Sequence, residues 1–411
     1  MEKVCWTSCN GIIERLAKIA GNAEIVRPLN LPFFGFGKKI IVKFALSLTH
    51  DCNLSCRYCY SGRKFADEMS FETAREIVNF AMDITPPGRK IDFSFFGGEP
   101  LLRFDLMKEI VGYIHKKERE VRKPISLSVT SNGILLTEPI LDFFREQSVD
   151  LCVSIDGPAH VHNLNRCYND GRGSFEDTVR NLRLAQRRLG RLQVNAVYGP
   201  DTIGFLSETV SFFSQLDVYS IHLNPNISAF WGENTYHKLR EAYMQIAKHY
   251  IQSYQHGQEI AINLIDSKII LLLKGGYEDA DKCGMGETEW GFAPSGNIYP
   301  CERFIGEDNN PSLCLGNIHT GLDQINLCSI LKHRGNRDKK CKTCDLQKYC
   351  MNWCGCTNYY MTGHTDLASP MLCESEKATI KAAKQVLVTL RNNELFLDHF
   401  LKYLHERRAR A

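Results

Sequence analysis

The sequence predicts an α/β protein: an incomplete barrel of six strand–helix repeats, then a loop-rich segment dense in cysteine, then a closing helix. Three observations predict it. Short apolar runs alternate with amphipathic runs from Lys39 to about Asn226. Polar groups recur where the apolar runs end. The 17 cysteines concentrate just after the first apolar run and again in the last third of the chain.

Residues 1–38 read as a helix-and-loop extension ending in the Pro/Phe/Gly-rich stretch from Leu31 to Gly37. Cys5 and Cys9 share one face of a short helix there, but two thiols are too few for a metal site. Residues 39–260 read as the barrel. Its strands are expected at Ile40–Leu48, Ile91–Phe96, Ile125–Ser131, Val149–Ile155, Leu192–Tyr198 and Val218–Asn224. They are short and apolar throughout, as in a parallel sheet covered by helices. Helices are expected near Ser70–Met82, Asp105–Glu120, Glu138–Glu146, Phe175–Leu189 and Leu206–Gln215. Ser70 and Thr73 flank a helix start, and Thr137 and Ser174 stand at N-cap positions. Six such repeats make an incomplete barrel, whose functional groups collect at the C-terminal ends of the strands. A helix follows over 233–256, with Leu239, Tyr243, Ile246 and Tyr250 as its apolar stripe. Residues 261–374 form the loop-rich, cysteine-dense domain, and 375–411 a final helix running from Ser375 to about Arg407.

The chain's 411 residues suffice for one large domain and a smaller one. Its 44% hydrophobic and 24% charged residues are those of a soluble globular protein. A net charge of +3 gives no argument for nucleic acid. The start, Met1 to Ala23, lacks the apolar core of a signal peptide. The most apolar run, Ile260 to Leu273, is interrupted by Asn263, Asp266 and Lys268 and is too short to span a bilayer. The expectation is a cytoplasmic protein with no membrane and no nucleic-acid partner. Cysteines in that setting point to metal ligation rather than disulfides, with Cys152 a small core residue.

Cys52, Cys56 and Cys59 form a C-x3-C-x2-C spacing directly after the first strand, with Tyr58 before the third cysteine. Three thiolates can hold three irons of a cubic four-iron cluster and leave one iron open. A zinc site or reduced structural cysteines would use similar spacings. Gly97-Gly98-Glu99-Pro100 ends the second strand; its glycines allow close backbone approach to a ligand, and Glu99 can accept from an ammonium. Ser131 and Asn132 end the third strand, Ser154 the fourth, and Asn195 lies on the fifth. Arg166 or Arg172, in the following loop, can fork onto a carboxylate.

Taken together, the three cysteines, Tyr58 and the Gly97–Pro100 stretch resemble the radical S-adenosylmethionine (radical SAM) superfamily. The resemblance implies a partial (β/α)6 TIM barrel, with a [4Fe–4S] cluster on Cys52, Cys56 and Cys59. It implies S-adenosyl-L-methionine on the open iron, cleaved to a 5′-deoxyadenosyl radical. Gly97, Gly98 and Glu99 would hold the methionine amino group; Tyr58, Ser131, Asn132, Ser154, Arg166 and Asn195 would contact the remainder.

The second cysteine region carries Cys283-x12-Gly296-x4-Cys301, then Cys341-x2-Cys344-x5-Cys350-x3-Cys354, then Cys373. This resembles the SPASM domain of radical SAM enzymes that modify peptides and proteins. The resemblance implies two auxiliary [4Fe–4S] clusters, one on Cys341, Cys344, Cys350 and Cys373 and one on Cys283, Cys301 and Cys354. Cys314, Cys328 and Cys356 all stand as fourth ligands of the latter, and some relatives leave that iron open. Glu302 follows Cys301 directly; in the sulfatase-maturing branch an acidic residue there is a base on the substrate, whereas a loop carboxylate paired with Arg303 is the plain alternative. The expected activity is oxidation of a ribosomally made peptide to a thioether, ether or carbon–carbon crosslink, with flavodoxin or ferredoxin as electron donor. The alternatives are formylglycine formation by an anaerobic sulfatase-maturing enzyme, and a non-catalytic metal-binding scaffold.

Overall fold

The computed structural model describes residues 41–400, apart from Tyr219 and Asn336. The extension expected over 1–38, with Cys5 and Cys9, lies outside the described residues, as does the part of the final helix expected beyond residue 400.

The barrel elements run in order as β1 (Ile41–Ser47), α1 (Phe71–Ile84), β2 (Lys90–Phe96), α2 (Phe104–Val121), β3 (Ile125–Ser131), α3 (Glu138–Glu146) and β4 (Val149–Ser154). They continue with α4 (Ala159–Asn165), α5 (Phe175–Leu189), β5 (Gln193–Tyr198), α6 (Leu206–Gln215), β6 (Ser220–Pro225) and α7 (Glu233–Gln255). The six expected strands are all present and parallel, each paired with its sequence neighbour. The short helix α4 was not anticipated.

The sheet runs on past residue 260. β7 (Ala261–Ile262) pairs with β6 and leads into α8 (Asn263–Lys274). On the other flank β8 (Glu289–Phe292) adds parallel to β1, and β9 (Ile298–Tyr299) pairs antiparallel to β8. The strand order is therefore 7-6-5-4-3-2-1-8-9, an open parallel barrel whose first strand is flanked by the cysteine-rich segment. Phe44 of β1 stacks on Phe292 of β8 at 6.4 Å and meets Phe93 of β2 at 5.7 Å, so one aromatic core crosses that junction.

Small elements follow: β10 (Gly316–Asn317), β11 (Gly321–Leu322), α9 (Gln324–Lys332), α10 (Lys339–Lys342), α11 (Gly355–Thr362) and the long α12 (Pro370–Leu390). The short pieces fit the glycine-rich composition, because little of this segment has apolar periodicity. α12 packs on α7 and α8. Tyr243 of the predicted α7 stripe is buried and hydrogen-bonds to Tyr198 and to Ser375 Oγ, the latter at 2.9 Å.

Three local expectations need correction. Ser70 caps α1 by accepting from the Thr73 N–H, but neither Thr137 nor Ser174 makes a side-chain cap. Ser174 instead donates to the Arg166 carbonyl at 2.8 Å, which draws its hydroxyl away from the helix start. Cys152 is only partly buried, its sulfur 3.5 Å from Gln193 Nε2. The final helix starts earlier, at Pro370, and breaks after Leu390. Asn393 causes the break: its amide reaches the Tyr254 carbonyl at 3.2 Å, and its Oδ1 caps a new helical stretch through the Phe396 N–H at 2.9 Å. Among the described residues no helix is long and apolar enough to cross a membrane.

Candidate functional site

The loop after β1 carries Cys52, Cys56 and Cys59, and its shape is imposed from two sides. The loop after β2 closes on it from one side: the Gly98 N–H donates to the Thr49 carbonyl at 2.8 Å and the Glu99 N–H to the Asp51 carbonyl at 2.9 Å. A side chain on Gly98 would sit 1.9 Å from the Asp51 oxygen, so only glycine fits. The close approach these glycines permit here is to the loop that presents Cys52. From the other side, the Ser55 N–H donates to the Cys167 carbonyl at 2.8 Å and the Arg57 N–H to the Asn165 carbonyl at 3.1 Å. The loop is thereby tied to the segment that carries Arg166.

Glu99 is 1% exposed, and chain donors hold both its oxygens. The Leu101 N–H and the Ser131 hydroxyl donate to Oε1 at 3.1 and 2.8 Å, and the Asn132 N–H donates to Oε2 at 2.8 Å. Burial nevertheless pushes its carboxyl up to about 7. Glu99 joins the loops after β2 and β3, with about one of its four acceptor positions left for a ligand's ammonium. Asn132 continues the chain of contacts, donating to Asn53 Oδ1 at 2.7 Å with its amide 3.8 Å from Cys52 Sγ.

Asp156, just after β4, organises the opposite side. Tyr58 donates its hydroxyl to the Asp156 carboxylate. Arg166 Nε lies 3.0 Å from Asp156 Oδ1, with its guanidinium 5.3 Å from the Tyr58 ring centre. The Val197 N–H of β5 donates to the same Oδ1 at 3.0 Å. His162 supports this group from beneath. It is fully buried, and burial pushes its imidazole down to about 3, so the ring is neutral. Because the Ser174 hydroxyl is spent on the Arg166 carbonyl, His162 Nε2–H is the donor in its 2.9 Å contact with Ser174, which leaves Nδ1 facing the Asp156 N–H at 3.4 Å.

Ser154 is buried at the end of β4, and Asn195 accepts from Asn224 at 2.5 Å. Arg172 is exposed over the Tyr168 ring, its guanidinium 4.4 Å from the ring centre. A cavity of about 300 Å³ opens beside Tyr58, lined by Arg57, Asn165, Asp201, Asn226 and Ala229 among others. Asp156 and His162 were not selected from the sequence. Asp156 follows the chosen Ser154 by two residues, a signal that was available; His162 carried none.

All fifteen described cysteines are free thiols. Burial pushes Cys52 up to about 12 and Cys56 up to about 11, a cost that a bound cation removes by taking them as thiolates. Lys64 Nζ stands 2.9 Å from Cys59 Sγ, a positive charge suited to a thiolate. Among the described residues no group of three potential ligands is already placed to hold a single metal ion. Three thiols on one short loop, soft donors without carboxylate or imidazole partners, fit an iron–sulfur cluster.

The second cysteine region abuts this loop. Gly296, at φ +86°, forms the turn between β8 and β9 that delivers Cys301. Gly291 of β8 passes so close to the Cys301–Glu302 backbone that a Cβ there would lie 2.9 Å from it. Glu302 Oε2 lies 3.1 Å from Cys301 Sγ. Tyr60 bridges the two regions, within electrostatic reach of Glu302, Cys59 and Cys301. Arg63 and Glu307 tie the same loops: the Arg63 N–H donates to the Glu307 carboxylate at 2.9 Å, and the two side chains form an ion pair of 3.1 Å. Cys283 precedes β8, Cys341 lies in α10, Cys344 and Cys350 on the turns after it, and Cys354 at the start of α11. Cys373 lies in the first turns of α12, exposed and beside Lys377.

Residues 46–212 match the protein family described as the Radical SAM superfamily. The chain is 22% identical over 320 residues to a cysteine-type anaerobic sulfatase-maturating enzyme of Clostridium novyi, covering 74% of this chain and 85% of that one. It is 21% identical over 332 residues to the radical SAM cyclopropyl synthase TigE of Paramaledivibacter caminithermalis, covering 75% and 66%. Against an uncharacterized protein of Methanocaldococcus jannaschii it is 28% identical over 176 residues but spans only 59% of that protein's length. Among solved structures, native anSMEcpe with bound AdoMet and Kp18Cys peptide superposes with a TM-score of 0.71 at 19% identity, over 86% of this chain and 99% of that one.

Proposed function

We propose that this chain, which carries a radical SAM domain over residues 46–212, is a peptide-modifying radical SAM enzyme. On this reading residues 39–260 are the catalytic barrel, residues 261–374 a SPASM domain, and residues from 375 a closing helix. The observation that carries it is the placement of Cys52, Cys56 and Cys59 at the mouth of the barrel, against the region of Cys301, Glu302 and Cys354.

Cys52, Cys56 and Cys59 would hold a [4Fe–4S] cluster; Cys283, Cys301 and Cys354 a second; and Cys341, Cys344, Cys350 and Cys373 a third. When bound, such clusters would supply the electron for reductive cleavage of S-adenosyl-L-methionine and an acceptor for the electron left on the substrate. The chain does the positioning. Glu99, held by Ser131 and Asn132, offers its remaining acceptor position to the methionine ammonium. Arg166, fixed by Asp156, supplies the positive charge for the carboxylate, and Ser154 and Asn195 line the barrel beside it. Tyr58 and Arg57 border the cavity that would receive the target side chain and shield it from water. Glu302 takes the proton that leaves the substrate as it is oxidised. Flavodoxin or ferredoxin is the matching electron donor, and the cytoplasm the matching compartment.

The product is a thioether, ether or carbon–carbon crosslink within a ribosomally made peptide. Formylglycine formation is the second reading, favoured by the Glu302 carboxylate beside Cys301 and by the likeness to a sulfatase-maturating enzyme. Mass spectrometry of a candidate peptide co-expressed anaerobically separates them. A crosslink removes two hydrogens and leaves the sulfur in place. Formylglycine made from Cys loses the sulfur and reacts with a hydrazide. An unmodified peptide alongside active cleavage of S-adenosylmethionine would reject that peptide as the substrate.

A further inference from the structure

Three cysteines competed as fourth ligand beside Cys283, Cys301 and Cys354, and the fold separates them. Cys354 and Cys356 flank Gly355 at the start of α11, with their sulfurs 3.6 Å apart. The Cys356 thiol also lies in hydrogen-bonding reach of the Cys301 thiol, and Cys283 is close enough to Cys301 for their charges to repel. Cys356 is buried, so its sulfur faces this group and not solvent.

Gly355 stands where the two segments meet. A Cβ there would fall 2.6 Å from Met285 Sδ, two residues after Cys283, so the helix start packs directly against the Cys283 segment. Arg303 stands within electrostatic reach of Cys301, Cys354 and Cys356, a cation suited to balance several thiolates; its backbone carbonyl is fixed by the Tyr360 hydroxyl at 2.5 Å. The other two cysteines sit on other elements. Cys314 donates to the Gly316 carbonyl at 3.2 Å, and Cys328 lies within α9. Cys301, Cys354 and Cys356 act on one another, with Glu302 and Arg303 as their charged neighbours.

We propose that Cys356 is the fourth thiolate of the auxiliary cluster on Cys283, Cys301 and Cys354, an inference that rests on the reading of this region as a cluster-binding domain. A cluster with four protein thiolates has no iron open to substrate. It therefore accepts an electron without touching the peptide.

The test uses protein in which Cys52, Cys56 and Cys59 are all changed to Ala, so that only auxiliary iron remains. Into it Cys356→Ala, Cys314→Ala and Cys328→Ala are introduced separately. Each protein is reconstituted anaerobically, and iron content and the spin-resonance spectrum of the reduced form are recorded with and without cyanide. Cys356→Ala alone should either lose about four irons or open one to cyanide and change the spectrum. Iron and spectrum equal to the parent's in Cys356→Ala, or the change appearing in Cys314→Ala or Cys328→Ala, would overturn the assignment. A parent without auxiliary iron would refute the cluster reading itself before Cys356 is touched, and the proposal with it. If Cys356→Ala does not fold, an iron-edge anomalous map of the wild-type holoprotein decides. Iron bonded to Cys356 Sγ supports the proposal, and iron bonded only to the other three cysteines overturns it.

Discussion

Lys268 Nζ on α8 lies 2.6 Å from Glu376 Oε2 on α12, and both side chains are less than a tenth exposed. Lys268 also donates to the Tyr349 carbonyl at 3.0 Å, and Glu376 accepts from the Met351 N–H at 2.5 Å. The pair therefore grips the chain on both sides of Cys350 and fastens that loop between two helices.

Removing one partner strands a buried charge. Lys268→Met should destabilise the protein by about 3 kcal/mol, the scale for breaking a buried ion pair. Lys268→Met with Glu376→Met should recover part of that loss, because an apolar pair leaves no charge uncompensated. Anaerobic denaturant titration of wild type, Lys268→Met, Glu376→Met and the double variant measures it; a double variant as damaged as the sum of the two single ones would show that the pair does not couple.

Glu99 predicts a pH dependence. Its carboxyl ordinarily titrates near 4.5 and is pushed up to about 7 in the fold. The folded state thus keeps a proton that the unfolded state releases, and stability falls as pH rises through that window. The cost is complete above about pH 7 and amounts to about 3 kcal/mol. Glu99→Gln has no such proton. The stability of wild type relative to Glu99→Gln should decline from pH 5 to pH 7.5 and then level off; parallel profiles would show that burial does not perturb Glu99.

Much of this was legible in the sequence, for identifiable reasons. The barrel strands and helices announced themselves because each carries a complete apolar face. β7 and β8 did not, because strands of two and four residues are too short for a period, and they form by adding to edges made elsewhere. The cysteine motifs were visible as spacing. Asp156 was not singled out, and Cys356 was not separable from Cys314 and Cys328, because their roles depend on partners distant in sequence: Tyr58 and Arg166 for one, Cys301 for the other. His162 was invisible for the same reason, since its neutral ring is defined by burial and by Ser174.

Glu302 tests the proton transfer. Glu302→Gln keeps the side chain's size beside Cys301 and removes its basicity. 5′-Deoxyadenosine should still form, while modified peptide falls by about 10²-fold, the scale of a general base. Iron content should stay at the wild-type level, and product yield equal to wild type would reduce Glu302 to a loop charge.

On the proposed reading the loop after β1 carries the radical chemistry and the later cysteines a separate set of clusters. Iron, sulfide and 5′-deoxyadenosine should be measured together in wild-type protein and in protein with Cys52, Cys56 and Cys59 all changed to Ala. Wild-type protein should hold about 12 irons with matching sulfide and the variant about 8, with 5′-deoxyadenosine no longer formed in the variant. Cleavage of S-adenosyl-L-methionine at the wild-type rate in the variant, or stoichiometric zinc with little sulfide in the wild type, would contradict it.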